Sequence, residues 1–324
     1  MAGEGMAATL ETAATLEAGA ARAAKRGVLI VNTKSRQGEE WFAQAKQHLT
    51  AMGVELSEAV ALEDPTRLPE IIKAQIAKGE KLIVLGGGDG SFSGAVDFFV
   101  GTDVALGVLP LGTVNDFARN LEIPAEIEAA CRIIADGHTA QVDLGVADEN
   151  YFTITASVGF SACTQDSLKP KLKKMLGPFG YLAAALLALR RLKPLKITID
   201  SERGTENLTV LQAGVINGHT WMGGSVSIPG VDLQSGGLAF YAVPAKRGFF
   251  AYLRLARSLY EGNFFHCPGL RAFNSRDMTL TTETPSPLVV DGDLIGQTPV
   301  RLRIAPGVLR VCVPLRFIAD PENI

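Results

Sequence analysis

Cysteine, histidine and long apolar runs are scarce in this sequence, and each shortage excludes a class of protein. The four histidines of the 324-residue chain form no HExxH or similar set, and the four cysteines are far apart. A CxxC metal knuckle is therefore excluded, and scattered thiols favour a reducing compartment. No apolar run approaches the roughly 20 residues that a membrane-spanning helix needs. The net charge of −3 gives no general attraction to nucleic acid, so we expect no nucleic-acid partner.

The first 24 residues are rich in alanine and carry Glu4, Glu11 and Glu17. They have neither the basic region nor the apolar region of a secretory signal. We therefore predict a disordered tail and a cytoplasmic protein.

The order of apolar and polar residues after this tail predicts two domains. Alternating strand-like and helix-like segments over residues 25–141 predict an α/β domain with a parallel, doubly wound sheet. Strand-like segments separated by turn residues predict a β-sandwich over residues 142–306. Residues 307–324 are predicted to be a C-terminal segment that returns to the first domain.

A glycine-rich loop is the most informative motif of the predicted α/β domain. Its residues are Gly86, Gly87, Gly88, Asp89, Gly90 and Ser91. The loop follows a buried strand predicted at 81–85 and precedes a helix predicted at 92–100. Glycines let the backbone approach a ligand closely, and the free N–H groups of a helix start bind phosphate. Asp89 indicates a cation or a donor hydroxyl beside that phosphate.

A second motif, PLGTVNDFAR at residues 110–119, follows the next predicted strand and is expected at the same edge of the sheet. Thr113 and Asn115 can hydrogen-bond phosphate or ribose oxygens without adding negative charge. Asp116 is expected to bring a second carboxylate near Asp89. A turn with a helix cap would explain part of this motif, but it does not require threonine, asparagine and aspartate together.

The first predicted strand ends in Asn32-Thr33-Lys34-Ser35-Arg36, again at the ligand-binding edge. Lys34 and Arg36 could neutralise nucleotide phosphates. Basic residues in loops are usually only solvated, so this signal alone is weak.

An acidic turn, Asp291-Gly292-Asp293, follows the apolar residues Leu288-Val289-Val290. A kinase needs a carboxylate to accept the proton of the attacking hydroxyl. Taken alone, this sequence is a common hairpin turn. Its interpretation therefore depends on the motifs that accompany it.

Together these motifs resemble the diacylglycerol kinase catalytic-domain family, in its bacterial soluble lipid-kinase branch. The resemblance covers residues 27–316, and PLGTVNDFAR is its most specific part. Further matches are Asn32 with Ser35, Asp143-Leu144-Gly145, Ser157-Val158-Gly159-Phe160, Lys173-Lys174, Asn217-Gly218, Gly223-Gly224 and Pro229.

This resemblance implies a fold like those of NAD kinase and phosphofructokinase, with ATP in the cleft between the domains. The implied ATP-binding residues are Asn32, Lys34, Ser35, Gly112, Thr113, Asn115 and the glycine loop. Asp89, Asp116 and Asp143 match carboxylates of a water-and-Mg²⁺ network. Asp291, with Asp293 beside it, matches the general base that deprotonates a lipid hydroxyl. Diacylglycerol, ceramide and sphingosine all remain open as acceptors.

Some positions depart from the family pattern and keep alternatives open. Asp293 replaces the usual glutamate, while Ser235 and Ala239 occupy positions that are acidic in members with a structural Mg²⁺ site. A catalytically inactive nucleotide- or lipid-binding regulatory protein is therefore one alternative. An NAD-kinase-like enzyme is another, although the Asn-Glu pair expected for the nicotinamide ribose is absent. A phosphofructokinase-type enzyme would need a TIDxD turn where this chain has TVNDF.

Residues 169–196 combine basic clusters with an apolar stretch, Phe179 to Leu189. Such a segment suits peripheral contact with an anionic inner-membrane surface, and packing on the β domain explains it equally well. The segment Phe249 to Leu255 is a second aromatic and basic candidate. The sequence is also compatible with a homodimer.

Overall fold

The computed structural model describes residues 23–34, 37–159, 194–245, 254–255, 257–258 and 261–319. The predicted tail up to residue 22, Ser35 and most of the 169–196 segment lie outside these ranges, as do residues 249–253. Within the described ranges, we find no helix with the length and apolarity needed to cross a membrane.

The N-terminal region forms a parallel sheet in the order β2-β1-β3-β4, as predicted. Every residue of β3 and β4 is buried, which is typical of parallel strands covered on both faces. The four strands are β1 (Arg26–Asn32), β2 (Glu55–Leu62), β3 (Leu82–Gly87) and β4 (Ala105–Pro110).

Helices connect these strands and cover the sheet. The strand order reverses direction at β1, so right-handed crossovers bring the helices to both faces. One helix begins at Asp89, three residues before the predicted start, because Gly88 already occupies the N-cap position. The helices are α1 (Gly38–Ala51), α2 (Leu68–Ala77), α3 (Asp89–Val96), α4 (Asp116–Asn120), α5 (Ile127–Asp136) and α6 (Leu315–Ala319), with 3-10 turns at Pro65–Arg67 and Phe264–His266.

The second region consists of antiparallel strands and confirms the predicted β-sandwich. Its strands pair in the order β16-β15-β7-β9-β8-β14-β17, and β12 joins β13 to β9. Buried side chains such as Phe240, Val290 and Leu302 form a core separate from that of the first region. The strands are β5 (Thr139–Ala147), β6 (Asn150–Phe152), β7 (Thr155–Gly159), β8 (Leu195–Ser201), β9 (Gly204–Ile216), β10 (Thr220–Trp221), β11 (Val226–Ser227), β12 (Leu238–Pro244), β13 (Arg271–Ser275), β14 (Asp277–Thr282), β15 (Pro287–Val290), β16 (Asp293–Gln297) and β17 (Val300–Cys312).

Strand β17 belongs to both regions. Its first half pairs with β14, while Val311 in its second half pairs in parallel with Leu106 of β4. Strand β5 follows β17 antiparallel along both halves, with a register shift between Ala305 and Leu309. The domain boundaries predicted at residues 141 and 306 fall inside these two strands. A continuous hydrogen-bonded sheet therefore connects the two regions.

We expect Leu309→Ala to destabilise the whole protein, because Leu309 is fully buried where β17 joins the parallel sheet. Removing its side chain should lower the free energy of unfolding by about 2–5 kcal/mol. Val308→Ala is the matched control, since this neighbouring side chain is only partly buried. Denaturant unfolding measures both variants, and equal losses would contradict the role given to Leu309.

Candidate active site

The two motif loops meet at the carboxyl ends of β3 and β4. The N–H of Leu111 donates to the carbonyl of Gly87 at 2.8 Å. A Cβ atom on Gly112 would lie 2.6 Å from the Cα of Gly88, so only glycine permits this approach. Gly90 has open space around it, and Thr113 is exposed. The sequence-predicted loops therefore form one surface at the edge expected to bind a ligand.

Asn115 supports this surface from beneath. It is buried in the left-handed conformation, with φ of 54°, at the N-cap of α4. Its side-chain oxygen accepts from the N–H of Gly112 at 2.9 Å, and its amide donates to the carbonyl of Gly112 at 2.9 Å. The side chain predicted to contact nucleotide thus holds its own loop in shape.

Asn32 and Ser91 approach each other across the neighbouring strands. The Asn32 amide lies 3.5 Å from the Ser91 hydroxyl, at the limit of a hydrogen bond. The Asn32 side-chain oxygen accepts from the N–H of Lys34 at 3.1 Å, and Lys34 is exposed. These residues lie at the same edge as the glycine loop.

Asp89 and Asp116 form an acidic pair between the two motifs. Asp89 accepts from the N–H of Phe117 at 3.1 Å, which ties the glycine loop to the first turn of α4. Burial is the main reason that the pKa of each carboxyl lies above its usual range. The charge of Asp291 raises the pKa of Asp89 further, and the charge of Asp89 raises that of Asp116. Asp89 therefore lies within electrostatic reach of both Asp116 and Asp291.

Asp116 also binds the β10–β11 hairpin of the second region. Its carboxylate accepts from the N–H groups of Met222 and Gly223 at 3.1 and 2.7 Å. Asn120, one turn later on α4, exchanges two hydrogen bonds with the backbone of Thr220 at 2.9 and 3.0 Å. Sequence reasoning missed Asn120, although its position four residues after Asp116 could have indicated a shared helix face.

Asp143 accepts hydrogen bonds from a different set of donors. Its two carboxylate oxygens accept from the N–H groups of Gly236 and Gly307 at 2.7 and 2.8 Å. Burial raises the pKa of Asp143, and Asp232 is the neighbouring acid that adds to this effect. Among the residues that the structure describes, no three His, Cys, Asp or Glu side chains converge on a metal site. The three-membered network of Asp89, Asp116 and Asp143 therefore stays a prediction.

Asp291 is enclosed by donors from the turn that precedes β7. One carboxylate oxygen accepts from the N–H and the hydroxyl of Thr153, both at 2.7 Å. The other accepts from the N–H groups of Ile154 and Thr155 at 3.0 and 2.7 Å. These four bonds match the lone-pair sites that a carboxylate offers. Asp293, by comparison, begins β16 and is exposed.

Thr153 and Asn217 extend the support of Asp291 into the core. The Asn217 amide donates to the carbonyls of Asp143 and Thr153, both at 3.0 Å. Thr153 and Asn217 are completely buried, so these bonds are shielded from water. Nothing in the sequence around Thr153 indicated this role, because its partner lies 138 residues away.

Two family models together match most of the chain. The diacylglycerol kinase catalytic domain matches residues 26–147, and the YegS C-terminal NAD kinase beta sandwich-like domain matches residues 155–313. A diacylglycerol kinase of Mycobacterium tuberculosis is 31% identical over 81% of this chain and 86% of its own length. The chain belongs to the diacylglycerol kinase catalytic-domain family. The fold and site described above are therefore those of a member of a lipid-kinase family.

Two further comparisons agree with this assignment. A YegS-like lipid kinase of Enterobacter sp. strain 638 is 32% identical over 64% of this chain and 71% of its own length. A crystal structure assigned as a diacylglycerol kinase from Bacillus anthracis matches with a TM-score of 0.77 at 20% identity. It covers 94% of this chain and 99% of that protein, which shows that the two share a fold.

We expect Thr153→Val to weaken the support of Asp291, because valine keeps the shape of threonine but lacks the hydroxyl donor. Losing the hydrogen bond from this buried hydroxyl to the carboxylate should lower the free energy of unfolding by about 1–3 kcal/mol. Thr153→Ser retains the hydroxyl and should lose less. Equal destabilisation of the two variants in denaturant would show that the hydroxyl contributes nothing.

Proposed function

We propose that this protein is an ATP-dependent lipid kinase that transfers the γ-phosphoryl group to a hydroxyl of a membrane lipid. Diacylglycerol is the first candidate acceptor, because relatives of this chain carry that name. Ceramide and sphingosine are the other candidates. The proposal rests on one observation: Asp89, Asp116 and Asp291 group beside two glycine loops that pack against each other at a parallel sheet edge.

The glycine loops suit a triphosphate. The start of α3 carries the positive end of the helix dipole, and the space around Gly90 leaves its backbone accessible. Thr113 is exposed beside it and offers a neutral hydroxyl donor. Lys34, at the end of the neighbouring strand β1, would add a positive charge. Asn115 contributes by fixing the loop around Gly112 rather than by contact.

Asp89 and Asp116 fit a divalent cation. Both carboxyls are desolvated and repel each other, so a cation between them would offset an existing electrostatic cost. Asp89 and Asp116 would hold Mg²⁺, and Asp143, whose oxygens accept from Gly236 and Gly307, stays a predicted further member of the network. Mg²⁺ bound there would neutralise negative charge on the β- and γ-phosphates during transfer.

The lipid hydroxyl must lose its proton as its oxygen attacks the γ-phosphorus and ADP departs. Asp291 is the proposed acceptor of that proton. Because four donors already occupy its carboxylate, accepting a proton requires that it release one of them. The same four bonds fix the carboxylate in one orientation, which is the positioning that phosphoryl transfer needs.

The deciding experiment incubates the purified protein with labelled ATP, Mg²⁺ and separate mixed micelles of diacylglycerol, ceramide or sphingosine. We expect label in one phosphorylated lipid. Label in none of them, with ATP binding retained, would favour a regulatory protein. A parallel incubation replaces the lipid with NAD, and label transferred to NAD there would support the NAD-kinase-like alternative.

Asp291→Asn is the companion variant in this assay, and we expect it to abolish turnover. Asparagine replaces one acceptor oxygen by an NH₂ group that would face backbone N–H donors. A loss of about 1–3 kcal/mol in unfolding free energy should therefore accompany the loss of activity. ATP binding should remain measurable by calorimetry, and full turnover would exclude Asp291 as the proton acceptor.

We expect Gly112→Ala to weaken ATP binding at least about tenfold, because its Cβ would push the two loops apart. That atom would lie 2.6 Å from the Cα of Gly88 and 2.7 Å from the side-chain oxygen of Asn115. Gly94→Ala is the matched control, since nothing lies within 4 Å of its Cβ position on α3. Calorimetric titration with ATP compares them, and equal affinities would contradict the proposed triphosphate site.

A further inference from the structure

Four exposed apolar side chains lie on chain segments next to the acids of the candidate active site. Among the residues that the structure describes, the large apolar side chains classed as exposed are Val114, Met222, Leu294 and Ile295, with exposed fractions of 42, 43, 52 and 45%. We call these four side chains the rim. All four lie on segments that carry or contact the acids of the site.

The first half of the rim consists of Val114 and Met222. Val114 lies two residues before Asp116, and the N–H of Met222 donates to the Asp116 carboxylate. The two segments touch, because a Cβ on Gly223 would lie 3.9 Å from a methyl carbon of Val114. Met222 is held in the left-handed conformation, with φ of 56°. The buried Asp116 carboxylate thus holds the two loop tips next to each other.

The second half of the rim lies on β16, which follows Asp291. Every residue of β16 is exposed, and the strand forms one end of the sheet. Leu294 and Ile295 are consecutive, and a register shift interrupts their pairing with β15. Soluble proteins usually protect an edge strand with charged residues rather than leave large apolar side chains on it. We therefore expect a binding partner to cover the apolar surface at this edge.

Basic side chains lie near the Val114 and Met222 segments of the rim. A groove of about 470 Å³ beside Met222 is lined by Arg119, His219 and Arg316, together with Glu122. Arg316 pairs with Glu122. Arg119 donates through Nε to the carbonyl of Val114 at 3.0 Å, which fixes the guanidinium next to the rim. A cation beside exposed apolar groups is complementary to an anionic lipid surface.

We propose that the rim inserts into the surface of an anionic bilayer, with Arg119 against lipid headgroups and the cleft of Asp89, Asp116 and Asp291 facing the membrane. This inference rests on the proposed function. A lipid acceptor keeps its acyl chains in the bilayer, so its hydroxyl reaches the cleft only if the cleft mouth contacts the membrane. Apolar side chains on two separate segments would fix the orientation of that contact.

The test measures sedimentation of the full chain with vesicles of phosphatidylcholine and phosphatidylglycerol. Two paired variants, Val114→Thr with Met222→Gln and Leu294→Thr with Ile295→Thr, make each half of the rim polar. The matched controls keep each half of the rim apolar. They are Val114→Ile with Met222→Leu, and Leu294→Val with Ile295→Val. We expect each polar pair to weaken vesicle binding about tenfold and each control pair to bind like the parent protein.

A kinase assay in parallel separates this inference from the proposed function. The ratio of activity on diacylglycerol in vesicles to activity on a dispersed short-chain diacylglycerol should fall about tenfold in the polar pairs. One outcome is that vesicle binding depends on the rim but no lipid is phosphorylated. That result would support the docking surface and overturn the proposed function. Kinase activity with vesicle binding unaffected in the polar pairs would overturn the docking surface. A further outcome is that a polar pair dissociates an oligomer while vesicle binding is unchanged. That result would identify the rim as a contact between copies of the chain and would also overturn the docking surface.

Discussion

Carboxylates that accept hydrogen bonds from the backbone of distant segments hold this site together. Asp89 binds the start of α4, Asp116 binds the β10–β11 hairpin, and Asp291 binds the turn before β7. Asp143 does the same for the turn at Gly236 and for Gly307 within β17. A carboxylate removed from water is costly unless donors satisfy it, and backbone N–H groups supply those donors here. Each acid therefore fixes the position of a second segment as well as its own.

This arrangement gives the acids different roles. Asp89 and Asp116 remain close enough to repel each other, which leaves them suited to a cation and to phosphate chemistry. Asp116 and Asp143 each accept one backbone hydrogen bond per carboxylate oxygen, whereas Asp291 accepts two hydrogen bonds on each. The resemblance to the family implies one network of Asp89, Asp116 and Asp143, and the structure shows that Asp143 accepts from a donor set of its own, Gly236 and Gly307. Identical side chains thus differ in chemistry because their donors differ.

Much of the fold was predictable because its signals are local. Buried apolar strands, glycines at strand ends and alternating helices predicted the parallel sheet, and turn residues between short strands predicted the β-sandwich. The path of β17 was only partly predictable. Its second half pairs with β4 through hydrogen bonds between residues about two hundred positions apart, and no local pattern encodes such a partner. The roles of Thr153 and Asn120 were missed for the same reason.

By itself, the sequence determined the family, the two architectures and the motif residues that gather at one sheet edge. These follow from residue types at fixed spacing, since glycine alone allows the approach of Gly88 to Gly112 and strand order brings both loops to that edge. Only the tertiary structure decided which donors each carboxylate accepts from, that Asn115 holds its own loop, and that Val114, Met222, Leu294 and Ile295 are exposed. Those properties depend on hydrogen bonds and solvent contact between segments remote in the chain, which residue order does not specify.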